Sequence, residues 1–101
     1  MIIVHGTMNM KPETIGEFAR DVTAMLEKVR AEDGCGHYSL LVEDPATGLV
    51  NVIERWRDED ALKAHLKMPW VAGFFAKHGG NMTASTLQIW DVANPRPLPD
   101  M

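Results

Sequence analysis

Apolar residues recur along this chain with two different periods. Over residues 2–10 they alternate: Ile2, Val4, Gly6 and Met8 share one face, and Ile3, His5, Thr7 and Asn9 share the other, which predicts a first strand. Past Pro12, which opens a helix, Ile15, Phe18, Ala19, Val22, Met25, Leu26 and Val29 fall at i, i+3, i+4 and i+7, with Glu17, Arg20, Asp21, Glu27, Lys28 and Arg30 on the remaining surface. This long amphipathic stripe ends near Gly34 and Gly36, where a residue at positive φ is often needed.

Alternation returns over residues 37–43 and 49–57, and Asp44-Pro45-Ala46-Thr47-Gly48 between them is turn chemistry for a hairpin. Asp58 is a candidate N-cap for a helix over 59–67, on which Ala61, Leu62, His65 and Leu66 recur at helical spacing. Pro69 permits a second short helix through Lys77, stopped by Gly79-Gly80. One last strand is expected over residues 82–92, and the proline-rich tail 94–101 cannot continue a central strand.

The order β-α-β-β-α-β is the split βαβ of the α+β ferredoxin-like fold, with helices covering one face of an antiparallel sheet. The other face is not written for water. Leu49, Asn51 and Ile53 lie opposite Val50, Val52, Glu54 and Trp56, and Leu41 lies opposite Tyr38, Leu40 and Val42. An apolar sheet face left open in a monomer marks an interaction surface, so a homodimer with sheets packed face to face is expected.

Composition narrows the function classes. The 101 residues fit one domain, over 1–93 with the tail beyond, and 46% hydrophobic with 24% charged residues is ordinary globular composition. A net charge of −4 without a Lys/Arg cluster removes the footprint of a nucleic-acid or anionic-membrane binder. The N-terminal apolar run is too short for a signal peptide or a membrane span, and the single cysteine, Cys35, suits a reducing compartment, so a cytoplasmic location is expected. His5, His37, His65, His78 and Cys35 show no zinc-site spacing, so no metal is expected. Phosphate-binding and dinucleotide motifs are absent, as is a Gly-x-Ser-x-Gly elbow, and no nucleotide cofactor is implied.

Candidate chemistry collects around the junction of the third strand and its helix. His65 leans toward the buried stripe, where an imidazole acts as a base near neutral pH or sits as a core-edge histidine satisfied by a carbonyl. Glu54 places a carboxylate on a largely apolar face; it would orient His65, hold a substrate hydroxyl, or pair with Arg55, Lys63 or a partner subunit. Trp56 offers a flat wall and one N–H donor for an aromatic ligand, or simple core packing. Tyr38, Asn51 and Trp70 are weaker candidates for lining a pocket. Trp70 with Phe74 and Phe75 makes either an aromatic lid or a packing surface for the first helix.

Glu32, Gly34, Cys35 and Tyr38, then Glu54 and Trp56, then Ala61, His65 and Pro69 reproduce the pattern E-x-G-C-x-x-Y, E-x-W, A-x-x-x-H and a following proline. In this order the segment resembles the antibiotic biosynthesis monooxygenase family over residues 2 to about 92, and within it the small quinol monooxygenases. The resemblance implies a dimeric α/β barrel and a cofactor-independent monooxygenase acting on a quinol or polyphenol, with His65 as base, Glu54 as its orienter and Trp56 as wall. Two other functions stay open: isomerase or degradation chemistry on a small hydroxyketone signal molecule, for which family relatives share the A-x-x-x-H segment, and a non-catalytic dimer that binds an aromatic metabolite. Haem-degrading relatives carry an asparagine, a tryptophan and a histidine where this chain has Thr7 or Asn9, His65 and Phe75, so haem is not implied.

Overall fold

The computed structural model describes residues 1–100; Met101, the end of the expected tail, lies outside the described residues. Strand β1 (Ile2–Met10) leads through a 3-10 turn (Pro12–Thr14) into helix α1 (Ile15–Arg30). The hairpin β2 (Cys35–Asp44) and β3 (Leu49–Trp56) follows, then helices α2 (Glu59–Leu66) and α3 (Pro69–His78), a 3-10 turn (Gly79–Asn81), and the short strands β4 (Met82–Ser85) and β5 (Gln88–Asp91). The sheet runs β2-β3-β1-β4, with β5 also on β1, and every pairing is antiparallel. This is the α+β ferredoxin-like arrangement, and its helices cover one sheet face. No helix among the described residues is long and apolar enough to cross a membrane.

Local chemistry explains the element ends. The hairpin turns where Asp44 Oδ1 accepts from Ala46 N at 3.0 Å and Gly48 takes φ +76 against the backbone of Met10. Helix α2 starts where Asp58 Oδ1 accepts the Ala61 N–H at 2.8 Å, an N-cap bond of a kind that contributes about 1 kcal/mol.

The expected last strand is two strands rather than one. Its register on β1 is the same before and after the break, with Met8 opposite Ser85 and His5 opposite Gln88. Between them the Thr7 N–H donates to Thr86 Oγ1 rather than to a backbone carbonyl (2.9 Å), and Gly6 sits at φ +151 with Thr86 O against it. The side-chain acceptor interrupts the ladder at Thr86 and Leu87, a rearrangement that strand periodicity cannot foresee.

Ile2, Val4, Met8 and Met10 of β1 and Val50, Val52 and Trp56 of β3 are buried against Phe18, Val22, Met25 and Val29 of α1. Alternation on the strands and the 3.6 period on α1 thus meet in one core. On the opposite face Leu41, Ile53 and Trp90 remain 64%, 42% and 53% exposed.

Candidate active site

A cavity of about 460 Å³ opens between the sheet and the pair α2–α3. Val4, Met8, Leu40, Val52 and Leu62 give it apolar walls, Leu66, Phe75, Leu87 and Ile89 stand half-exposed at its rim, and three groups able to exchange a proton, Tyr38, Glu54 and His65, face into it. Neither lysine nor arginine lines it.

His65 is 3% exposed and lies in the last turn of α2. Its ring packs on Trp56 (centroids 4.6 Å apart, planes 38°) and meets Tyr38 edge-on at 5.4 Å. Nδ1 is 3.0 Å from both carboxylate oxygens of Glu32. Among the described residues Nε2 has no hydrogen-bond partner and no buried side-chain nitrogen or oxygen lacks one, so Nε2 is open to the cavity.

The carboxylate that reaches the imidazole is therefore Glu32, not Glu54. Glu32 sits in the loop after α1, where its N–H donates to Val29 O (3.0 Å) and its carbonyl accepts from Cys35 N (3.1 Å). Gly34 allows the loop to come close enough: at φ +84 it lies against α2, and a Cβ there would stand 2.6 Å from that of Ala61. Glu32 stood in the sequence pattern but carried no assigned role, because 33 residues separate it from His65 and no local period links them. The repeated signal was its place three residues before Cys35, in the same motif as Tyr38.

Glu54 faces the cavity and accepts a 2.9 Å hydrogen bond from Trp56 Nε1. Burial raises its carboxyl pKa above the ordinary range; the Trp56 bond and His65 pull the other way, and Glu32 adds a further upward push. Burial likewise pushes the Tyr38 hydroxyl up, with Glu54 and Glu32 adding to it.

Three of the expected pocket residues are elsewhere. Trp56 is fully buried behind His65, its N–H committed to Glu54, so it supports the site without lining the cavity. Asn51 lies on the other sheet face, between Thr7 and Leu41, because strand alternation turns it away from Val50 and Val52. Trp70 packs beneath Lys28 of α1 and donates to Glu32 Oε2 at 2.9 Å. Phe74 packs on Phe18 of α1 and also lines the cavity, as does Phe75. Among the described residues no three His, Cys, Asp or Glu side chains converge as a metal site would require.

Comparison with known proteins agrees with this architecture. The sequence model of the family described as "Antibiotic biosynthesis monooxygenase" matches residues 1–77. The Bacillus subtilis (strain 168) protein named "Putative monooxygenase YcnE" is 29% identical over 89 residues, 88% of this chain and 93% of that protein. A crystal structure of an antibiotic biosynthesis monooxygenase superposes with a TM-score of 0.81 at 25% identity, over 93% of this chain and 100% of that one. Rv0793 from Mycobacterium tuberculosis superposes with a TM-score of 0.80 at 25% identity, over 95% and 98%. With a family match spanning most of its length and the same fold throughout, the chain belongs to the antibiotic biosynthesis monooxygenase family.

Proposed function

We propose that this protein is a cofactor-independent monooxygenase that oxidises a quinol or related polyphenol with O₂. The observation that carries the reading is an imidazole held at Nδ1 and open at Nε2, in a largely apolar cavity whose other polar side chains are Tyr38, Glu54 and Gln88. The cavity is within the size range of small-molecule sites.

An electron-rich phenolate can itself reduce O₂, so the protein must remove a proton, stabilise the anion and exclude water. His65 Nε2 takes the phenolic proton as the O–H bond breaks. Tyr38 stays protonated and donates to an oxygen of the anion; Glu54, while it holds its proton, does the same. Overall, quinol and O₂ give a hydroxyquinone and water: the substrate loses two electron pairs, one oxygen atom enters the ring, and the other leaves as water with two of the protons.

The same base would serve an isomerase acting on a hydroxyketone. A phosphorylated hydroxyketone would need a cation, and the absence of Lys and Arg from the lining weighs against it. The assembly we propose is a homodimer through the uncovered sheet face, where Leu41, Ile53 and Trp90 are exposed.

Oxygen uptake by metal-free protein with a panel of quinols tests the function, with autoxidation subtracted. The expected result is uptake that needs no added cofactor and falls by about 10²-fold or more in His65→Gln. Uptake at background for every quinol, or a His65→Gln variant with the parent's rate, would overturn it.

A further inference from the structure

We infer that Glu32 and Trp70 form a clamp that sets the tautomer of His65. Glu32 is then a positioning residue: it holds the proton of the neutral imidazole on Nδ1, which leaves the Nε2 lone pair facing the cavity. The inference rests on His65 acting as the base, since a base needs its lone pair on the atom that meets the substrate.

A neutral imidazole has one donor and one acceptor nitrogen, and the partner of one nitrogen decides the other. Glu32 places both oxygens 3.0 Å from Nδ1. The Trp70 indole N–H, which can only donate, reaches Oε2 at 2.9 Å and requires that oxygen as an acceptor. No lysine or arginine pairs with Glu32 among the described residues, and its side chain is 4% exposed, so the carboxylate is oriented by these two contacts alone. With the carboxylate accepting from both sides, Nδ1 carries the hydrogen. Were Glu32 to donate instead, Nε2 would bear the hydrogen and present a donor where the reaction needs a base. The clamp also joins three separate elements: the loop after α1, the last turn of α2 and the first turn of α3.

Glu32→Gln tests it while keeping the shape of the side chain. The amide has one acceptor oxygen where the carboxylate had two, and Trp70 competes with His65 for it. With the oxygen on Trp70, the amide NH₂ faces Nδ1 and moves the imidazole proton to Nε2. Removing the competing donor in the double variant Glu32→Gln/Trp70→Phe frees the amide to turn its oxygen back to His65.

The first readout is ¹⁵N NMR of the His65 ring, which needs no substrate. The parent is expected to show the Nδ1–H tautomer, Glu32→Gln a shift toward Nε2–H, and the double variant a return. The second readout is quinol-dependent oxygen uptake: kcat should fall by about 10²-fold in Glu32→Gln with KM changed little, and recover about tenfold in the double variant. A purely structural tether predicts the opposite for the double variant, which removes two contacts and should be worse on every measure. An Nε2–H parent, an unchanged tautomer in Glu32→Gln, or a double variant without recovery would each overturn the clamp. The parent tautomer decides the matter even if Glu32→Gln does not fold. Failure of the parent to oxidise any quinol would instead overturn the functional reading and leave the tautomer result standing by itself.

Discussion

Trp56 donates its indole N–H to Glu54 at 2.9 Å, two residues away on the helix-covered face of β3, and this bond is what allows a carboxyl group to face an apolar cavity. The indole supplies one neutral donor and no countercharge. Burial outweighs it, and the Glu54 carboxyl is left with a raised pKa.

That direction fixes a pH dependence. A carboxyl group whose pKa is higher in the folded state favours folding fully below its unfolded value, near 4.3, and loses that contribution as pH rises through the folded value. Glu54→Gln never ionises and can still accept from Trp56. Its melting temperature relative to the parent should therefore rise from acid to neutral pH, as thermal denaturation at pH 4 and pH 8 would show. A difference that shrinks with pH would contradict the assignment.

Asp21 should behave in the opposite way. Lys77 Nζ lies 2.8 Å from Asp21 Oδ2 and His78 Nε2 2.7 Å, and hydrogen bonds first to Lys77 and then to His78 lower its pKa. A lowered carboxylate stabilises the fold above its unfolded pKa and loses that contribution as pH falls through the folded value. Asp21→Asn is expected to lower the melting temperature at pH 7, with the difference from the parent closing below about pH 4. A deficit independent of pH would mean that packing of α3 on α1, rather than charge, makes the contact important.

Gly34→Ala probes how closely the Glu32 loop must approach α2. An added Cβ meets the backbone penalty of φ +84 and stands 2.6 Å from Ala61 Cβ. A loss of about 2 kcal/mol or more is expected in chemical denaturation. Combining it with Ala61→Gly should relieve the steric part but leave the backbone part, so a double-mutant cycle will show positive coupling. Strict additivity would rule out the contact.

The proposed homodimer is tested through the exposed apolar sheet face. The parent, of 11.3 kDa per chain, is expected to sediment at twice that mass, and Ile53→Lys, at the middle of β3, to sediment as a monomer. A monomeric parent would remove the sheet face as an interface.

Much of the fold is written locally. The alternation on β1 and the stripe on α1 state which side of each element is buried, Asp58 marks the start of α2, and the residues at 44–48 mark a hairpin, because each signal is set by side chains a few positions apart. The same locality placed His65 on the inner side of its helix and Glu54 and Trp56 on one face of their strand.

Local order along the chain thus specifies the set of elements, their buried faces and a histidine on one of them. Long-range packing decided which carboxylate meets that histidine: the loop after α1 closes on α2 and brings Glu32, rather than the expected Glu54, to Nδ1. It also decided that Trp56 and Trp70 each give their N–H to a glutamate rather than to the cavity, and that the last strand breaks where Thr86 replaces a backbone acceptor. The physical reason is range. A face is fixed by backbone period over a few residues, whereas a buried hydrogen bond is chosen by whatever polar group the finished packing brings within about 3 Å.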